Sequence, residues 1–284
     1  IAVNRSLKAK WPSIEVTDGG GVKINRNIVG GELAVFDPFL MLDEIYLDDP
    51  EDYIKGFPEH PHRGFQTLTY MLSGKMFHRD HLGNEGVLNS GDVQWMTAGR
   101  GVLHSEMPFQ DRGRLHGFQI WINLPAKEKM IDPNYLEIRS EKIPVVEFGK
   151  KSFLKVIAGS YSQNNHRVLG AISGVTVEPE IFDISINNGD ELNLPADQRK
   201  NVLIYVYGGG IKIEEQFISK GQLGILGEGD QVRIYSDMSS RLLLLSGIPL
   251  KEPIANWGPF VMNSTEEINR AILDFRSGSF AVKK

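Results

Sequence analysis

The sequence predicts an all-β protein made of two similar halves, with a few short helices and one clear helix near its C-terminal end. Thirty glycines and fourteen prolines among 284 residues punctuate short runs rich in β-branched and aromatic residues, the pattern of strands joined by tight turns. Two stretches echo one another: Tyr70-Met-Leu-Ser-Gly74 with Gly91-Asp92-Val93, and Tyr205-Val-Tyr-Gly-Gly209 with Gly229-Asp230-Gln231-Val232. Each reads strand, glycine turn, strand, Gly-Asp turn, strand, which points to a duplicated barrel or sandwich. Helical periodicity is clear in one segment only.

In chain order, 22–28, 65–72 and 117–124 read as strands of the first half; 201–207, Gln231–Tyr235 and 242–245 read as strands of the second. Gly19-Gly20-Gly21 is a hairpin turn rather than a phosphate loop, because no helix or Gly-Lys-Ser/Thr follows. The stretch 126–151 carries Lys127, Glu128, Lys129, Glu141, Lys142, Lys150 and Lys151 and is less periodic than its flanks. It reads as a connection, giving an N-terminal domain over 1–135 and a C-terminal domain over 136–284. The helix begins at a capping box of Ser264 and Glu267, and Ile268, Ala271, Ile272 and Phe275 repeat at i, i+3, i+4 and i+7.

Composition excludes several classes of function. With 31 basic against 36 acidic residues, a net charge of −5, nothing marks a surface for direct nucleic-acid binding. The absence of cysteine removes disulfides and thiolate metal sites and leaves nitrogen and oxygen donors. No apolar run approaches the roughly 18 residues of a membrane span, and the first sixteen residues lack the apolar segment of a secretory signal. The expectation is a soluble, cytoplasmic monomer, or a nuclear one in a eukaryote. A chain starting at Ile1 leaves room for an upstream segment.

The chemistry concentrates in two short motifs, His60-Pro61-His62 and His104-Ser105-Glu106. Side chains two apart on a strand share a face, with Cβ atoms roughly 6–7 Å apart at the usual rise. Two imidazoles in one pair and an imidazole with a carboxylate in the other make the nitrogen and oxygen donor set of non-haem iron and related divalent ions. A lone HxH pair is weak evidence. Two such pairs in apolar, aromatic surroundings are stronger, since buried polar groups need a common partner. Six of the seven histidines lie between positions 60 and 116, and His166 stands alone, so only the first half has the means to hold a metal. His78 and His81 read as a solvated turn, and His116 as a hydrogen-bonded core residue. Arg63 and Arg100 flank the motifs and are candidates to meet an anionic substrate.

HxH on one strand and a further histidine about forty residues on, after a Gly-Asp turn, resembles the cupin arrangement, a jelly-roll-like double-stranded β-helix. The general cupin glutamate, three or four residues after HxH, is replaced here by Gln66 and Thr67, and the acid stands instead at Glu106. That displacement, with HPHRGFQTLTYMLSG, GDVQWMTAGRGVLHSEMP, GFQIWINLP and EPIANWGPFVMN, resembles the pirin family over about 25–275. The resemblance implies two cupin barrels in tandem, with one iron ion, Fe(II) or Fe(III), held in the N-terminal barrel by His60, His62, His104 and Glu106. Other divalent metals would suit the same donors.

The activity implied is that of the pirin-type quercetin 2,3-dioxygenases, which cleave a flavonol with O2 and release carbon monoxide. Four ligands on a six-coordinate ion leave about two positions open, and Glu106 either takes the substrate's hydroxyl proton or stays a ligand throughout and only neutralises charge. The alternative implied by the same resemblance is a non-catalytic redox-sensing co-regulator that docks a transcription factor or a metabolic enzyme. The motifs alone fit both.

Overall fold

The computed structural model describes residues 2–28 and 33–282. The chain divides into two compact units: one comprises Ile14–Val35, Phe39–Ser140 and Leu250–Lys284, the other Ile1–Ser13, Phe36–Pro38 and Glu141–Pro249. The change of unit at Ser140 falls inside the charged connection at 126–151. Contiguous domains over 1–135 and 136–284, however, are not what the backbone forms. Leu7–Pro12 pairs antiparallel with Gln222–Leu226 and so completes a sheet of the second unit. The terminal helix, expected with the second barrel, belongs to the first.

Each unit is a two-sheet β-barrel, and the strand orders correspond. In the first, a seven-stranded sheet runs Asn134–Ile138, Val93–Thr97, Phe65–Ser73, Leu115–Asn123, Phe39–Leu47, Val22–Asn27, Ile14–Asp18. Its four-stranded sheet runs Phe57–His62, Val102–Pro108, Met76–Asp80, Glu85–Leu88. In the second unit, Glu191–Pro195, Gln231–Tyr235, Gly210–Ile213 and Gln216–Ser219 take the same places in the smaller sheet. The duplication read from the glycine turns is therefore present at the level of strand order.

The strand segments read from the sequence are strands, Val22–Asn27, Phe65–Ser73, Leu115–Asn123, Asn201–Gly208 and Ser240–Gly247 each extending or trimming the expected run by a few residues. Gly19-Gly20-Gly21 forms the turn between Ile14–Asp18 and Val22–Asn27, with Gly19 at φ 58°, a left-handed conformation that glycine adopts without strain. The second barrel is filled by aliphatic side chains from both sheets, among them Leu154, Ile184, Leu192, Leu194, Ile204, Ile211, Val232, Ile234 and Leu244. In the first, one apolar cluster joins Val22, Ile24, Ile45, Tyr53, Met71, Met76, Leu88 and Leu115.

The terminal helix spans Thr265–Arg276, and the Ser264 side chain caps it by accepting from the Glu267 amide. Glu267 returns the bond to the Asn263 amide at 3.2 Å. Ile268 and Ala271 are buried with Phe260, Met262 and Phe280, and Asp274 pairs with the buried Arg63 at 2.9 Å. This apolar face and ion pair hold the helix in the first unit. No helix among the described residues is long and apolar enough to cross a membrane.

Candidate metal centre

The two motifs meet across one strand pair. Phe57–His62 runs antiparallel to Val102–Pro108, with His104 directly opposite His60 and Val102 opposite His62. Strand alternation then directs His60, His62 and His104 into the barrel. The imidazole centroids of His60 and His104 lie 4.4 Å apart, those of His62 and His104 4.9 Å, and those of His60 and His62 4.7 Å. One ligand nitrogen from each of the three lies within 4.8 Å of the others, the spacing of donors around a common ion.

Glu106 occupies the next inward position of the same strand, buried at 4% exposure. Its carboxylate accepts from the Thr69 hydroxyl at 3.0 Å and from the Gln119 amide at 2.9 Å. The close three-histidine group does not include it. Glu106 forms instead a second group with His104 and His78, again with ligand atoms within 4.8 Å of one another. The four residues expected at the metal therefore lie side by side, His104 being common to both groups.

His78 is the residue the sequence reading missed. It is not on a solvated turn: it lies within Met76–Asp80, is fully buried and stacks on Tyr135 at 4.8 Å. The signal was the period-2 set Met76, His78, Asp80, whose members are buried while Phe77 and Arg79 are more exposed. His81 does sit in the turn that follows, with its Nδ1 accepting from the Leu103 amide at 3.0 Å.

Burial and crowding keep His62 and His104 neutral. Removal from water, reinforced by His60, holds His62 well below the ordinary imidazole range. The same burial, with His62, His60 and His78 adding to it, does so for His104. A neutral ring keeps a lone pair for a cation. His60 Nδ1 lies 2.8 Å from the Pro58 carbonyl, which only accepts, so Nδ1 is the donor of that bond and Nε2 is the nitrogen turned toward the other rings. That Nε2 is 3.0 Å from His62 Nε2, and neither ring nitrogen of the buried His104 has a hydrogen-bond partner. Neutral, inward and under-satisfied nitrogens beside a fixed carboxylate fit a divalent cation of the kind nitrogen and oxygen donors select.

A cavity of about 630 Å³ opens onto this group, with His60, His62, Glu106, Thr69, Gln119 and Trp121 on its wall. Its other walls are largely apolar, from Ile24, Ile45, Met71, Phe57, Leu115 and Phe118. One polar patch interrupts them. Arg26 binds Asp43 through Nε at 2.9 Å and a terminal nitrogen at 2.8 Å, and reaches Asp18 at 2.7 Å. Burial raises the Asp43 carboxyl against the pull of Arg26. The C-terminal segment supplies Asn256, Gly258, Pro259 and Val261 to the same wall.

The other candidates have structural partners. Arg63 donates to the Arg100 carbonyl, pairs with Asp274 and lies 4.6 Å over the Phe280 ring, so it clamps the C-terminal segment. Arg100 pairs with Asp132 at 2.8 Å. His116 contacts Glu44 at 2.8 Å in the interior, as a core histidine should. Gln66 accepts from Trp95 at 2.9 Å and Thr97 at 3.0 Å, and Lys129, fully buried, donates to the carbonyls of Gly64 and Val261 and to Asn123.

Comparison with known proteins agrees with this architecture. The family described as Pirin matches residues 21–122, and the family described as Pirin C-terminal cupin domain matches residues 181–281. A Pseudomonas aeruginosa protein named "Putative quercetin 2,3-dioxygenase" is 44% identical over 94% of either chain. Pirin of Rattus norvegicus is 41% identical, over 98% of this chain and 94% of that one. Among solved structures, a quercetin 2,3-dioxygenase from Acinetobacter baumannii superposes with a TM-score of 0.91 at 31% identity, covering 98% of this chain and 99% of the other. With both family models matched and relatives 41% and 44% identical over nearly the whole chain, the chain belongs to the pirin family, within the cupin superfamily.

Proposed function

We propose that the protein is a metal-dependent dioxygenase that cleaves quercetin or a similar flavonol with O2 and releases carbon monoxide. The observation that carries this reading is the cavity: it is of ligand size, mostly apolar, and carries three of the four candidate metal ligands on its wall. The relatives named for quercetin cleavage supply the substrate class. His60, His62 and His104 would hold the ion, with Glu106 as the adjoining carboxylate, and iron is the metal this donor set suggests. When bound, the metal supplies Lewis acidity and open positions.

The protein's own groups do the rest. Apolar walls take the flat rings of a flavonol and exclude water. Arg26, Asp43 and Asp18 offer donors and acceptors to phenolic hydroxyls. Glu106, oriented by Thr69 and Gln119, accepts the proton of the substrate's 3-hydroxyl, which leaves an electron-rich enolate for O2 to attack at C2 and C4. The direct test is incubation of protein loaded separately with iron, copper, nickel, manganese or cobalt with quercetin. Loss of flavonol absorbance with release of carbon monoxide is expected. No turnover with any of the five metals overturns the assignment for this substrate.

A further inference from the structure

The buried face behind His104 has no part in the proposed reaction, yet it is built of polar groups. Val102–Pro108 pairs on its other edge with Met76–Asp80, placing His78 opposite Glu106 and Asp80 opposite His104. His78 is wholly buried, and neither of its ring nitrogens has a hydrogen-bond partner. Its ring centroid is 5.3 Å from that of His104. Asp80 lies beyond it, with Oδ2 3.7 Å from His78 Nε2. That carboxylate is itself fixed by the amides of Leu82 and Asn84 and by the Asn84 side chain, at 2.8–3.0 Å.

We propose that His78, anchored by Asp80, is a positioning residue for the metal centre, serving as the partner of the His104 ring nitrogen that the metal does not use. The inference rests on the metal reading above. When one nitrogen of a neutral imidazole binds a cation the other is an N–H, and it must find an acceptor or remain unsatisfied in the interior. Metal-ligating histidines are generally oriented through that second nitrogen. In the tautomer with its proton on Nε2, the nitrogen turned toward Asp80 at 3.7 Å, His78 offers the Nδ1 lone pair as acceptor. The sequence of groups is then His104, His78, Asp80, running from the ion to a charge fixed by a turn. Neither His78 nor Asp80 lines the cavity, so the pair acts on His104 and not on substrate.

The test uses the full chain and nickel(II) or cobalt(II) as probes. His78→Phe keeps a flat ring on Tyr135 and removes both nitrogens; His78→Gln restores one acceptor and one donor. For His78→Phe, nickel affinity measured by competition with a chelator should fall about 10–100-fold, with an altered cobalt(II) absorption spectrum and a stoichiometry still at one. His78→Gln should recover part of the affinity, and Asp80→Asn should show a smaller loss than His78→Phe. Wild-type affinity and an unchanged cobalt spectrum in both His78 variants would overturn the proposal. So would two metal equivalents in the wild type falling to one in His78→Phe, because His78 would then be a ligand of a second ion. Absence of any metal binding by the wild-type protein instead overturns the metal reading itself, and this proposal with it.

Discussion

The two barrels share a strand order and differ in what their small sheets turn inward. In the first, Phe57–His62 and Val102–Pro108 present His60, His62, His104 and Glu106. In the second, the corresponding strands present Leu192 and Leu194, and Val232 and Ile234, paired as Leu192 with Ile234 and Leu194 with Val232. The backbone hydrogen bonding that aims these positions is the same kind of antiparallel ladder in each. What differs is the interior: a dry aliphatic core needs no ligand, whereas a set of neutral, under-satisfied imidazoles does. On the proposed reading, chemistry falls to one copy of this architecture and a closed apolar core to the other.

The comparison breaks most sharply at His104. Changing His104→Leu makes the first barrel resemble the second, and metal binding and turnover should disappear together. The metal-free variant should be more stable than the metal-free parent by about 1–3 kcal/mol, because an unsatisfied buried polar group is gone. Metal analysis and denaturant unfolding check both halves of this expectation. Next in size is Glu106→Gln. Since the close group is formed by three histidines, this variant should still take up metal while turnover drops about 10²–10⁴-fold, the usual worth of a general base. Joint loss of metal and activity would make Glu106 a ligand throughout.

The converse substitution, Leu194→His in the second barrel, should cost about 2–4 kcal/mol by combining lost apolar burial with an unpaired polar group. An unfolding midpoint equal to that of the parent would show that this interior is less closed than its aliphatic packing implies. The smallest effect is on pH dependence. His62 and His104 have folded-state values below the ordinary imidazole value of 6.5, so below about pH 6.5 the unfolded chain binds protons that the native state refuses. Stability of the metal-free protein should therefore fall on acidification, by about 1.4 kcal/mol per pH unit for each histidine at most. A flat profile between pH 5 and 7 in metal-free protein would contradict the burial argument.

Much of the centre was legible because strand period is a local property. His60 and His62, or His104 and Glu106, share a face whatever the rest of the chain does. Register is not local. That His104 faces His60 on one side and Asp80 on the other depends on which strands pair, and for that reason His78 and Asp80 went unread although Met76, His78 and Asp80 alternate as clearly as HxH. Arg26 and Asp43, seventeen residues apart, were hidden for the same reason. The pairing of Leu7–Pro12 with Gln222–Leu226 links residues more than two hundred positions apart, and no periodicity announces such a contact. The helix, by contrast, declared itself through Ser264 and its apolar face, and even Phe275, 45% exposed, meets the Phe260 and Phe280 rings.

The exchange of chain segments between the units bears on how the protein can be taken apart. A gene cut once after Ser140 would leave the histidine barrel without Asn256, Gly258, Pro259 and Val261, which form part of its cavity wall, and would separate Arg63 from Asp274. Its other product would lack Leu7–Pro12, the edge strand of its large sheet. A faithful single-barrel version has to be rewired rather than truncated, by joining 14–140 to 250–284 through a new loop. The repeat is visible in the strand order, yet each unit is completed by a segment from the far end of the chain.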